Sequence, residues 1–142
     1  MNKLHAQLDD DCIVLGSFPL SWLLLNRDSL YPWFILVPDR NNITEMYQLS
    51  VPDQQQLMLE SCYLAKILAG SFNADKMNVA ALGNVVPQLH IHHIVRYKED
   101  SAWPAPVWGY AQTKPYSPQQ LEQMTHKINN LKLLDFDYSA RP

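Results

Sequence analysis

The sequence predicts an α+β domain: a mostly antiparallel sheet with helices segregated from the strands and packed on it. Two observations carry this. Three short apolar segments come first, cut apart by prolines and polar clusters, which favours antiparallel pairing through tight loops. A long helical stretch, two more strand-like segments and a final amphipathic helix follow, so the order is β-β-β-α-β-β-α rather than a strict alternation. The chain of 142 residues suits a single domain over 1–142, long enough for a sizeable core and too short for two.

The elements follow in order. Residues 12–15 are an apolar run closed by Gly16-Ser17, and residues 20–26, rich in Trp and Leu, stop at Arg27-Asp28-Ser29. Residues 33–37 lie between Pro32 and Pro38; proline removes a ladder donor, so these two trim a third strand at both ends. Ser50-Val51-Pro52-Asp53 is a helix start, with a Ser N-cap, an early Pro and an Asp placed to return a capping-box bond. Leu57, Leu64, Ala65 and Leu68 recur at helical spacing up to a stop at Gly70. Residues 76–82 and 89–97 are β-like, and Ser117-Pro118-Gln119-Gln120 opens a second amphipathic helix through Leu121, Met124, Ile128 and Leu131.

Composition excludes several function classes. Hydrophobic residues at 47% and charged residues at 18% exclude a disordered or low-complexity chain. A formal charge of −3 gives no field for bulk nucleic acid, although one phosphate in a local pocket is compatible with it. Cys12 and Cys62 form no CxxC pair and read as free thiols of a reducing compartment. Asp9, Asp10 and Asp11 stand where a signal peptide would be apolar, and no run is long enough to span a bilayer. The expected setting is cytoplasmic, with no membrane partner.

The chemistry concentrates in Gln88-Leu89-His90-Ile91-His92-His93. Residues two apart on a strand share a face, so Gln88, His90 and His92 project together and Leu89, Ile91 and His93 point the other way. A buried imidazole is costly unless its nitrogens find partners. Three readings remain: satisfied structural histidines, a metal site with His90 and His92 as ligands, or an imidazole nucleophile at a phosphorus centre. The metal reading lacks a recognisable third ligand; His5 or an acidic residue would have to supply it.

Gly83-Asn84-Val85-Val86-Pro87-Gln88-Leu89-His90-Ile91-His92-His93-Ile94-Val95 resembles the signature of the histidine triad (HIT) superfamily, His-φ-His-φ-His-φ-φ with φ apolar. The likeness extends to Leu23-Leu24-Leu25-Asn26-Arg27-Asp28 with Phe34-Ile35-Leu36-Val37-Pro38, to the helix start at Leu49-Ser50-Val51-Pro52-Asp53, and to Asn78-Val79. It covers about residues 12–97, with a Pro/Trp-rich loop and the last helix in 98–142. The resemblance implies a five-stranded antiparallel sheet, a long helix and a C-terminal helix. It also implies a homodimer that binds small-molecule nucleotides, and a hydrolase or nucleotidyl transferase acting at an α-phosphate through a nucleotidyl-histidine. Substrates would be dinucleoside polyphosphates or nucleoside phosphoramidates.

Residue by residue, the resemblance puts the nucleophile on His90 and the leaving-group donor on His92. Asn26, Asn78 and Asn84 fall on positions that hold ribose, phosphate or adjoining backbone. A partly protonated His92 would stabilise developing charge. No cofactor is required, and magnesium can accompany a polyphosphate substrate.

The sequence also departs from the pattern. Gln88 replaces the first histidine, and its amide is expected to keep the ring-orienting role. Trp33 stands where many relatives have histidine and changes that wall of the pocket. His93 is expected to pack away from the reacting row, and His126 to be an ordinary helix residue. The segment 101–109 (SAWPAPVWG) is either a stiff plug or a pocket wall. Two other function classes stay open: a nucleotide-binding module without turnover, and a metal-binding protein.

Overall fold

The computed structural model describes residues 3–142. Helix α1 (Ala6–Asp11) leads into strands β1 (Cys12–Ser17), β2 (Ser21–Asn26) and β3 (Trp33–Pro38). After a single 3-10 turn (Met46–Gln48) come the long helix α2 (Val51–Ser71), strands β4 (Lys76–Ala80) and β5 (Ile91–Arg96), and helix α3 (Pro118–Asn129). All neighbours in the sheet are antiparallel and the order is β1-β2-β3-β5-β4. The α+β class and the five strands are therefore as expected. None of the described helices is long and apolar enough to cross a membrane.

Every residue of β3 and β5 is buried, because both faces of the sheet are covered. On one face Leu23, Leu25, Phe34, Leu36, Ile91 and Val95 pack with Leu57, Leu64 and Leu68 of α2 and with Ile128 of α3. On the other, Trp22, Leu24, Trp33, Ile35 and Ile94 lie under Leu4 and Leu8 of the N-terminal segment and under Val86, Ala102 and Val107. Strand alternation sends His92 to the second face and His93 to the first. Burying both faces also explains why the strands read as continuous apolar runs instead of alternating ones.

The helix ends follow their local chemistry, with two corrections. Ser50 caps α2 by accepting from the Asp53 N–H, but no capping box closes onto the Ser50 backbone; the Asp53 carboxylate is taken mainly by Arg40 at 2.7 and 2.9 Å. The stop is Asn73, not Gly70: Asn73 has φ 51, and the Ala74 N–H closes onto the Ala69 carbonyl at 3.0 Å, the arrangement of a Schellman cap. The predicted Ser117/Gln120 capping box of α3 is present in both directions.

Strand boundaries around the site shift as well. β4 ends at Ala80 rather than 82, and β5 begins at Ile91 rather than 89. Residues 81–90 are an irregular turn that carries Gly83, where an added Cβ would come within 2.9 Å of the Val86 carbonyl. α1 was not expected. It is only six residues long, and its N-cap is His5, whose Nδ1 accepts from the Gln7 N–H, so neither periodicity nor a standard cap announced it.

Candidate active site

The two histidines of the polar row stand side by side, with ring centroids 4.8 Å apart. His90 sits just before β5, and its Nδ1 lies 2.7 Å from the Gln88 backbone carbonyl. A carbonyl only accepts, so Nδ1 carries the proton and Nε2 keeps its lone pair. Burial, then the neighbouring His5, lower the His90 pKa against an opposing pull from the Gln88 carbonyl, so the ring is a neutral base at neutral pH.

His92 has the opposite tautomer. The indole Nε1–H of Trp33 donates to its Nδ1 at 2.9 Å. Indole is a donor only, so Nδ1 must be unprotonated and the proton sits on Nε2. That Nε2 is buried with no hydrogen-bond partner. Burial, with contributions from His90 and His93, pushes the His92 pKa down to about 4, against a raising influence from the Leu82 carbonyl. The expectation of a partly protonated His92 is thus corrected: it is a neutral N–H donor.

His93 faces away from the row, as alternation predicts. Its Nδ1 donates to the Ile91 carbonyl at 3.1 Å and its Nε2 accepts from Ser61 Oγ of α2 at 2.7 Å. Burial holds its pKa at about 4. It is a packing histidine that ties α2 to β5. His126, exposed on α3, has its Nε2 3.0 Å from the Asn130 side-chain amide.

A cleft of about 470 Å³ opens beside the pair. His90, His92, Asn26 and Asn84 all line it, together with Trp33, Trp108, Leu8 and Asp11. Asn26 Oδ1 accepts from the Asp28 N–H at 2.9 Å, which leaves its amide NH2 for the cleft. Cys12 also lines the cleft, but burial, and then Asp11, push its thiol up to about 12. It stays protonated and is no competing nucleophile.

Two site expectations need correcting. The Gln88 amide does not hold the neighbouring ring: its Oε1 accepts from the His5 N–H at 2.8 Å and its Nε2 donates to the Lys3 carbonyl at 3.2 Å. The bend at Gln88 puts the backbone carbonyl, not the side chain, in front of His90, and the freed amide ties down the N-terminal segment. Asn78 is absent from the cleft lining. Its Oδ1 accepts from Arg96 Nη1 at 2.7 Å, and the buried Arg96 also donates to Asp100 and to the Ala105 carbonyl.

Sequence reasoning missed the part played by α1 and resolved only half of the Trp-rich loop. That loop is both plug and wall. Arg96 Nη2 donates to the Ala105 carbonyl at 2.8 Å and the guanidinium lies 5.6 Å from the Trp103 ring. Trp108 turns into the cleft, 5.1 Å from the His92 ring and 5.7 Å from Trp33.

Fold and site together define a class: an α+β domain in which paired imidazoles of opposite tautomer face a cleft with apolar walls and amide groups. The HIT domain profile matches residues 7–99, and the chain belongs to that family. Among solved structures, a histidine triad protein of Marinobacter aquaeolei VT8 is 47% identical, with a TM-score of 0.90 over 92% of this chain and 96% of that one. One from Bradyrhizobium japonicum is 39% identical, with a TM-score of 0.89 over 92% and 98%. A bis(5'-adenosyl)-triphosphatase of Saccharomyces cerevisiae is 30% identical over 84 residues, 55% of this chain and 41% of the yeast protein. The chain thus matches less than half the length of that relative.

Proposed function

We propose that the protein is a nucleotide hydrolase or nucleotidyl transferase that acts at the α-phosphate of a nucleotide through a nucleotidyl-histidine on His90. The observation that carries this reading is the 2.7 Å bond from His90 Nδ1 to the Gln88 carbonyl, which leaves a bare Nε2 on a ring that lines the cleft. Attack by Nε2 forms the N–P bond as the bond from phosphorus to the leaving group breaks and its electron pair departs on the leaving group. The positive charge created on the ring is held by the same carbonyl. The His92 Nε2–H donates to a phosphate or leaving-group oxygen, and the amides of Asn26 and Asn84 add neutral donors that stabilise charge without reorganising. Water then attacks phosphorus, the N–P bond breaks, and His90 returns to its starting form. The bis(5'-adenosyl)-triphosphatase activity of the yeast relative supports a dinucleoside polyphosphate as one substrate type.

The histidine chemistry requires no cofactor, and magnesium can accompany a polyphosphate as its counter-ion. The metal-binding alternative gains no support: among the described residues no group of three His, Cys, Asp or Glu is placed to hold an ion, and Trp33 already occupies His92 Nδ1. Two free thiols support the reducing, cytoplasmic setting.

A second copy of this chain is the proposed protein partner. β4 is an edge strand of the sheet, and exposed edges invite pairing. Beside it Val79 (49% exposed), Met58 (62%) and Tyr47 (78%) line an apolar groove of about 730 Å³, apolar surface that a second copy pairing along the edge would cover.

Turnover of dinucleoside polyphosphates and nucleoside phosphoramidates by the wild type and by His90→Ala tests the reading. It predicts loss of turnover in the variant; unchanged turnover refutes it, and nucleotide affinity without product in the wild type favours the binding-module alternative.

A further inference from the structure

We propose that Trp33 is a positioning residue that locks His92 as a neutral Nε2–H donor, and that the site therefore prefers substrates whose leaving group departs as a stable anion, phosphoanhydrides over phosphoramidates. The inference deepens the phosphoryl-transfer reading above and rests on it.

The lock follows from donor chemistry. Trp33 Nε1 can only donate, and it is buried against His92 Nδ1 at 2.9 Å. Protonating His92 would place two N–H groups nose to nose, so it requires this bond to break. The Trp33 ring is itself held edge-on by Tyr31 and Trp108 at centroid distances of 6.5 and 5.7 Å, and it is only 7% exposed. It has little room to turn away. The one N–H of His92 left for substrate is Nε2, which is buried and makes no well-formed hydrogen bond in the protein, the Leu82 carbonyl being near enough only to favour its proton. A phosphate oxygen in the cleft would satisfy it.

A locked neutral donor can polarise an oxygen but has no spare proton to give. None of the other groups beside the cleft supplies one, and the Asp11 carboxylate on its wall already serves as an acceptor, for Gln7 Nε2 at 2.8 Å. The His90 Nδ1–H is tied to the Gln88 carbonyl, and the Cys12 thiol, pushed up to about 12, is too weak an acid. His5 lies at an adjoining surface pocket and its Nδ1 accepts from the Gln7 N–H, so it too is an Nε2–H donor.

The consequence lies in the bond that breaks. With a phosphoanhydride, the His90 Nε2 lone pair forms the N–P bond, the P–O bond breaks, and its electron pair leaves on the bridging oxygen as a phosphate anion. That step balances without a proton. With a phosphoramidate the P–N bond breaks and the pair would leave on nitrogen, so the amine needs a proton before or during departure. A general acid commonly contributes roughly 10²–10⁴-fold to such a step, and this site withholds one.

Two measurements test the proposal. Long-range proton–nitrogen NMR of the imidazoles at neutral pH, with the His92 signals assigned by their loss in His92→Gln, reads the tautomer directly. The proposal predicts a bare Nδ1 and a protonated Nε2 on His92, the reverse of His90 and His93; a protonated Nδ1 on His92 overturns it. The second is kcat/KM on a dinucleoside triphosphate and on an adenylyl phosphoramidate, for the wild type and Trp33→Phe. The wild type should favour the anhydride, and Trp33→Phe, which frees Nδ1 to take a proton, should narrow that preference by roughly tenfold or more. A wild type that prefers the phosphoramidate, or a folded Trp33→Phe with the same preference, overturns the proposal. A wild type that turns over neither substrate refutes the parent reading and the substrate preference with it, while the spectrum still decides whether Trp33 sets the tautomer.

Discussion

Replacing Asp100 with alanine removes the counter-charge of a guanidinium that has nowhere else to go. The Arg96 and Asp100 side chains are 1% and 3% exposed and meet at 2.8 Å. Once the carboxylate is gone, Arg96 keeps only two neutral acceptors, Asn78 Oδ1 at 2.7 Å and the Ala105 carbonyl at 2.8 Å. Asp100 also accepts from the N–H groups of Tyr97, Ala102 and Trp103 at 3.0, 3.2 and 2.8 Å; Tyr97 and Ala102 lose that partner too, and Trp103 keeps only the longer bond to the Asp100 carbonyl at 3.3 Å. Breaking a buried pair costs about 3–5 kcal/mol, and the orphaned donors place Asp100→Ala at the upper end, about 5 kcal/mol. Arg96→Met is milder, about 3 kcal/mol, because the carboxylate keeps its three backbone donors. At about 3 °C per kcal/mol for a chain of this size, Tm should fall by about 15 °C and about 9 °C respectively. Urea and thermal unfolding followed by tryptophan fluorescence measure both, since Trp103 and Trp108 ride on the loop the pair anchors. Equal losses, or a loss under about 1 kcal/mol in Asp100→Ala, would refute the reasoning.

Three further outcomes follow from the same contacts. The His92 and His93 pKa values are lowered to about 4 in the folded chain, against roughly 6.5 when unfolded. Their stabilisation is therefore complete above pH 6.5 and lost as pH falls towards 4, by about 1.4 kcal/mol per pH unit for each histidine; a urea midpoint unchanged between pH 7 and 5 would contradict this. Gln88→Ala should lower stability by about 1 kcal/mol and raise KM through a loosened N-terminal segment, while kcat falls less than about tenfold because the ring is oriented by backbone; a kcat loss like that of His90→Ala would restore the orienting role to the amide. Asn26→Ala should raise KM, whereas Asn78→Ala should leave KM near wild type and cost about 1.5–3 kcal/mol of stability by stripping a charged donor of its acceptor; steady-state kinetics and unfolding of the two variants separate these effects.

The strands, the long helix and the paired histidines were legible because each rests on local rules: proline at strand ends, a Ser-initiated helix, alternation along β5. Alternation alone placed His93 on the face away from His92; that α2 covers it is a tertiary fact. What could not be read depends on contacts distant in sequence. Gln88 and Asn78 lie at the expected positions, yet their amides are taken by the Lys3–His5 backbone and by Arg96. No local pattern reports those partners. The protonation state of His92 was misjudged for the same reason, since it is set by Trp33, 59 positions away. α1 was hidden by its length of six residues and its histidine cap.

The central claim is that Nε2 of His90 becomes covalently bonded to the α-phosphorus of a nucleotide. Quenching the wild type in alkali during turnover of a labelled dinucleoside polyphosphate, followed by peptide mass mapping, tests it most directly. The account predicts a nucleotidyl group on the peptide containing His90, absent in His90→Ala. Turnover with no such adduct, or with the adduct on another residue, would contradict it.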